Sequence, residues 1–294
     1  MKREIRIGLL GTGLMGQPVA RRLAAAGYPV AVWNRSPEKA LSLVSSGVQI
    51  KQSASQLIAD NDVILCLLSD ATACEEVLFN QDALQSMGKN TIIIMMSTLS
   101  PDIVVEQASK ARSVQAHYID MPVSGGTMGA NNGSLSLMAG GNKQLIDSLR
   151  PLLSHLGRVT HVGDTGAGQL TKLANQIIVA GTLSLLSEAF ILAERGGADP
   201  AKVREALLGG FADSTLLQHQ GERMVKGDFK ARGAAKWQLK DTRSAVALAE
   251  KLNLTLPLTE TVNQLFSQMI EAGEGDLDHC AIIKQIQRLN GVPI

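Results

Sequence analysis

The chain has 294 residues with 28 basic and 27 acidic side chains, a formal charge of +1, and so no broad electrostatic footprint for nucleic acid or an anionic membrane. Its 45% hydrophobic and 19% charged composition is that of a soluble globular protein long enough for two domains. The three cysteines are odd in number and lack zinc-ligand spacing, which predicts reduced thiols in a cytoplasmic protein. The five histidines form no helical i,i+4 pair, so no metal is expected.

The N-terminal MKREIRIGLLGTG reads as a strand start, because glycines interrupt its apolar run too early for a signal peptide. IRIGLL (5–10), PVAVW (29–33), DVILCLL (62–68) and TIIIMM (91–96) are near-continuous apolar strands, the kind needed by a parallel sheet covered on both faces. Between them LMGQPVARRLAAAG, SPEKALSLVSSG and DATACEEVLF have apolar spacing near 3.6, with Gly27 and Gly47 as helix stops. After about residue 164 no strand is expected, only helices over 166–195, 200–209, 214–226, 233–252, 258–273 and 278–289. The fold class is therefore an α/β Rossmann-type doubly wound sheet, residues 1–163, followed by an all-α domain, residues 164–294. A long helix starting near 166 joins them; polar residues interrupt its apolar part, which predicts a buried helix and no membrane span.

The loop Gly11-Thr12-Gly13-Leu14-Met15-Gly16 follows a strand and opens a helix. Gly11 permits the tight turn, Gly13 allows backbone to approach a pyrophosphate, and Gly16 lets helix pack on strand. At the end of the second strand, where an acid would meet the ribose of NAD, the chain reads Asn34-Arg35-Ser36. A cation and a hydroxyl there would accept a 2′-phosphate, so NADP is expected ahead of NAD; a solvated arginine in a capped turn is the alternative.

Ser124-Gly125-Gly126, within DMPVSGGTMGANNGSLSLMAGG, offers successive unobstructed N–H groups, either a nest for a carboxylate or a tight turn. On the long helix Lys172 and Asn175 lie three apart and share a face, and Gly168 one turn earlier clears space for a ligand or backbone. Lys172 is either an edge lysine or one that acts chemically in a cleft between the domains, and Lys240-Asp241 reads as a helix start or an ion pair.

Taken together these stretches resemble the β-hydroxyacid dehydrogenase family, which includes 3-hydroxyisobutyrate dehydrogenase and the semialdehyde reductases. The resemblance covers essentially the whole chain: the Gly11 to Gly16 loop, STLSP (97–101), MPVSGG (121–126), Gly168-x-x-x-Lys172-x-x-Asn175, and Lys240-Asp241. It implies hydride transfer between NADP(H) and a small carboxylate-bearing aldehyde or hydroxy acid, with Lys172 as general acid and base. It further implies that Asn175 and Asp241 lie with the substrate, that Ser124, Gly125 and Gly126 hold its carboxylate, and that Thr98 and Lys240 lie against the cofactor. Two departures stand out: Met95 at a common Asp position, and Gly233 where many members have a Phe against the substrate, which leaves that wall open or filled by Phe229 or Trp237. An imine reductase of the same fold usually lacks the lysine, and a non-catalytic NADP-binding module would be expected to have lost it and to carry basic extensions. The apolar helical domain predicts a homodimer or homotetramer.

Overall fold

The computed structural model describes residues 5–292; the first four and last two residues of the expected domain spans lie outside the described residues. The chain divides into two compact units, Met1–Lys172 and Leu173–Ile294, with the boundary inside one helix.

In the first unit β1 (Ile7–Leu10), α1 (Gly16–Ala25), β2 (Val30–Trp33), β3 (Gln49–Ile50), α2 (Ala54–Asp60), β4 (Val63–Cys66), α3 (Ala71–Leu78), α4 (Gln81–Ser86) and β5 (Ile92–Met95) follow in chain order. Residues Pro37–Ser46, expected as an α-helix, are wound as a 3₁₀ helix instead, opened by proline and closed by Gly47 in the left-handed region. Between residue 96 and the long helix near 166 periodicity named no element. The structure adds α5 (Pro101–Ser113), β6 (His117–Asp120), β7 (Val123–Ser124), α6 (Gly126–Asn132), β8 (Leu135–Gly140), α7 (Lys143–Leu153) and β9 (Gly157–Gly163).

The sheet order is β3-β2-β1-β4-β5-β6-β8-β7, with β9 paired to β8. The strands from β3 to β6 are parallel, and β8 runs antiparallel to β6 and β7. Alternate side chains along each strand enter opposite cores. Leu9, Val32, Leu65 and Ile94 pack with Val19 and Leu23 of α1 and Ile146 and Leu149 of α7. Leu10, Ile64, Cys66 and Ile93 pack with Leu57 and Ile58 of α2, Leu78 of α3 and Val104 of α5. Because both faces are covered, the central strands β1, β2, β4 and β5 carry no polar side chain, and the reversal of strand order beside β1 leaves the carboxyl ends of β1 and β4 as the edge where such sheets bind ligands. Cys66 and Cys74 are both buried, with their sulfurs 3.8 Å apart.

The helix α8 (Ala167–Arg195) runs from the first unit into the second, followed by α9 (Pro200–Leu207), a π turn (Leu217–Gly221), α10 (Glu222–Lys226), α11 (Ala235–Lys251), α12 (Pro257–Glu271) and α13 (Ile282–Leu289). One isolated bridge, Ala234 to Asp278, is the single β pairing among the described residues of this unit. Its core gathers Leu183 and Phe190 of α8, Leu217, Leu239, Phe266 and Ile282. The expectation of a buried α8 holds for one face only. By length and composition α8 could cross a bilayer, and Ile178, Leu185 and Leu192, seven residues apart, are 66%, 66% and 76% exposed.

Candidate active site

The turn after β1 is built by glycines with different physical duties. Gly11 adopts φ +97°, and a Cβ there would lie 2.3 Å from the Leu67 carbonyl oxygen. A Cβ on Gly16 would lie 1.9 Å from the Gly11 carbonyl oxygen, so α1 can start this close only without a side chain. Around Gly13 a Cβ would meet nothing within 4 Å: packing does not require this glycine, and the backbone there is open to an approaching ligand. The α1 N-terminus has no side-chain cap, and the buried Thr12 hydroxyl has no hydrogen-bond partner among the described residues. Uncapped N–H groups, an open backbone at Gly13 and an unpaired hydroxyl fit the pyrophosphate of a dinucleotide.

Asn34 braces this loop from the end of β2. Its Oδ1 accepts from the Thr12 N–H at 3.0 Å and its Nδ2 donates to the Ser36 carbonyl at 3.0 Å. Both halves of the amide are used in holding the turn, while Arg35 beside it is exposed.

At the end of β5, Thr98 is flanked by Ser97, whose hydroxyl accepts from the Leu68 N–H and donates to the Leu68 carbonyl, both at 2.9 Å. Ser124, Gly125 and Gly126 lead from β7 into α6, so the stretch expected as a loop between strands contains a short helix. Gly125 at φ +127° and Gly126 at φ +60° make the turn, and both are exposed.

The start of α8 is held by two residues that sequence reasoning missed. Asp120, fully buried at the end of β6, accepts from the Gly166 N–H at 2.8 Å and the Gln169 N–H at 2.9 Å. Burial pushes its carboxyl above the ordinary range, opposed by these backbone donors. Gln169, also fully buried, accepts from the Leu99 N–H at 3.0 Å and donates to the Ser97 carbonyl at 2.9 Å. A Cβ on Gly168 would lie 2.4 Å from the Met138 carbonyl oxygen, so this glycine admits backbone. One turn beyond Gly168, Lys172 is 8% exposed.

In the second unit Asn175 donates from Nδ2 to Gln176 Oε1 at 2.9 Å, and Gln176 Nε2 donates to Asp241 Oδ2 at 2.6 Å. The Lys240 ammonium lies 3.3 Å from Asp241 Oδ1. Gln238, one turn before Asp241, donates to the Gln176 carbonyl at 3.2 Å and contacts His279 Nδ1 at 3.3 Å. Gln176 and Gln238 had no motif of their own; the adjacency of Gln176 to Asn175 and the one-turn spacing of Gln238 from Asp241 were the available signals.

A Cβ on Gly233 would meet the His279 ring at 3.8 Å, an ordinary contact distance. The bridge between Ala234 and Asp278 brings His279 alongside, with its N–H donating to the Gly233 carbonyl at 2.9 Å.

A glycine turn open at Gly13 on a mostly parallel sheet is the architecture of a Rossmann-type dinucleotide-binding unit, here followed by a helical unit. Residues 6–163 match the family described as the NAD binding domain of 6-phosphogluconate dehydrogenase. Residues 166–286 match the one described as NAD-binding of NADP-dependent 3-hydroxyisobutyrate dehydrogenase. The chain is 38% identical to 2-hydroxy-3-oxopropionate reductase of Escherichia coli, over 96% of this chain and 97% of that one. It is 31% identical to 2-(hydroxymethyl)glutarate dehydrogenase of Eubacterium barkeri, over 100% and 99%. The structure of Mycobacterium tuberculosis 3-hydroxyisobutyrate dehydrogenase with L-serine superposes with a TM-score of 0.86 at 27% identity, covering 96% of this chain and 99% of that one. The chain belongs to the β-hydroxyacid dehydrogenase family and is an NAD(P)-dependent hydroxyacid dehydrogenase.

Proposed function

We propose that the enzyme is an NADP(H)-preferring reductase of a short carboxylate-bearing aldehyde, with Lys172 as the general acid. The observation that carries this reading is the burial of a lysine, 8% exposed, one turn before Asn175 on the same helix, in a chain of this family. When bound, the nicotinamide supplies a hydride to the carbonyl carbon. Lys172 gives a proton to the carbonyl oxygen as negative charge develops there, and takes it back in the reverse direction. Asn175 orients that oxygen, the N–H groups after Ser124 at Gly125 and Gly126 hold the carboxylate, and Asp241 takes part in substrate binding. Lys240, beside Asp241, and Thr98 contact the cofactor, with Gly11, Gly13, Leu14, Met15 and Gly16 under its pyrophosphate.

Preference for NADP is supported by Arg35 and Ser36, since Asn34 is committed to holding the loop. The E. coli relative, named as a 2-hydroxy-3-oxopropionate reductase, supports a three-carbon semialdehyde acid as substrate. The exposed stripe of Ile178, Leu185 and Leu192 supports a homo-oligomer in which a second copy covers it, and a monomeric mass in solution would reject that.

The test is NADPH oxidation against a panel of short semialdehyde and keto acids. Replacing Lys172 with Met is expected to lower kcat by about 10² to 10⁴ with NADPH affinity retained. Native turnover by that variant would remove Lys172 from the chemistry.

A further inference from the structure

Gln169 is a fully buried amide whose side chain makes two hydrogen bonds, one on each side of Thr98. One partner, the Leu99 N–H, can only donate, and the other, the Ser97 carbonyl, can only accept. A single orientation of the amide therefore satisfies both, and the clamp has a fixed sense. Ser97 is itself tied to Leu68 at the end of β4 by its hydroxyl. On the helix side, the Gln169 N–H is held by Asp120, which also caps the Gly166 N–H. A short path of hydrogen bonds thus runs from the end of β4 through the β5 loop to the helix turn that precedes Lys172.

Attachment of α8 to the sheet does not need these two bonds. Asp120 already accepts the Gly166 and Gln169 N–H groups at the start of the helix, and Gly168 lets the helix approach the Met138 and Asp120 carbonyls closely. What the Gln169 side chain adds is a connection to the backbone flanking one residue, Thr98, made from a position three residues before Lys172.

We infer that Gln169 is a positioning residue that holds Thr98 and Lys172 in register, so that the group delivering the proton stays aligned with the nicotinamide end of the site. This inference rests on the reading of Lys172 as the general acid. Misalignment of reacting groups by about 1 Å can cost roughly 10² in rate, so an amide that fixes two backbone segments at once bears directly on turnover.

The experiment is a double-mutant cycle with Gln169→Leu and Lys172→Met. Gln169→Leu is expected to lower kcat by about 10² while NADPH affinity stays native, and to add little in the Lys172→Met background, because the two residues act through one step. In the unliganded protein, Gln169→Leu is also expected to remove hydrogen-exchange protection from the Leu99 amide, and Lys172→Met to leave it intact. A folded Gln169→Leu with native kcat, or the same fractional loss in both backgrounds, overturns the inference. If Gln169→Leu is insoluble, Gln169→Glu replaces it. A protonated Glu makes both bonds and an ionised one only the bond from Leu99, so its kcat should fall with rising pH through an ionisation that the parent enzyme lacks. A profile matching the parent's overturns the inference equally. Native turnover in Lys172→Met rejects the general-acid reading itself, whereas a crippled Lys172→Met beside a native Gln169→Leu rejects the clamp alone.

Discussion

Gln176 donates from Nε2 to Asp241 Oδ2 at 2.6 Å, and this bond sets the direction of its neighbours. A carboxylate only accepts, so Gln176 must turn its Oε1 toward Asn175, which donates to it from Nδ2 at 2.9 Å. The Asn175 amide is thereby held in one sense, which under the proposed function fixes how it meets the substrate. Gln176→Leu is expected to raise the substrate KM by about tenfold, since unmaking a hydrogen bond to a buried charged group costs roughly 1–3 kcal/mol. The KM for NADPH should not move, and an unchanged substrate KM would separate this amide from substrate binding.

The glycine loop predicts a split between binding and stability. Gly13→Ala adds a methyl into open space, so thermal stability should stay within about 0.5 kcal/mol while the NADPH Kd rises. Gly16→Ala drives a methyl into the Gly11 carbonyl and should cost about 1–3 kcal/mol, read as a fall in Tm without cofactor. Equal stability losses in the two variants would refute this division of labour.

Cofactor choice is expected to rest on Arg35. Removing a guanidinium that pairs with a phosphate loses about 1.5–3 kcal/mol, so Arg35→Ala should lower kcat/KM with NADPH by roughly 10- to 100-fold. The value with NADH should stay level, and a parallel fall with both cofactors would contradict the assignment.

Asp278 predicts how the helical unit responds to acid. Desolvation pushes its carboxyl up, but the His279 charge, the Arg232 N–H, the Arg223 guanidinium and the Gly233 N–H outweigh it and hold it below its ordinary value of 3.8. A carboxyl depressed on folding stabilises the protein above its unfolded value, and that stabilisation is lost as pH falls through the lower folded value. Thermal stability should therefore fall below about pH 4 in the parent, with Asp278→Asn less stable at pH 7 and flatter in the acid range. Asp278→Ala, which leaves the buried Arg223 without its 2.9 Å partner, should cost about 3–5 kcal/mol at pH 7.

What the sequence determined by itself was local. Apolar runs such as ILC and IIIM, without polar alternation, require a sheet covered on both faces, and Gly11, Gly13 and Gly16 at the end of the first strand require a turn that only backbone lines. Lys172 and Asn175 could be placed on one helix face because a 3.6-residue period joins them. The remaining features depend on pairings that no local period encodes. Gln169 meets Leu99 across 70 residues of chain, Asp120 meets Gly166 across 46, and Gln238 meets Gln176 across 62. The same holds for the antiparallel β8 and for His279 beside Gly233. The apolar composition of α8 was legible, but which of its leucines are covered was not, because burial depends on what the rest of the chain packs against. Tertiary structure alone decided these points: a buried amide or carboxylate finds its partner only once the sheet has brought distant backbone within 3 Å.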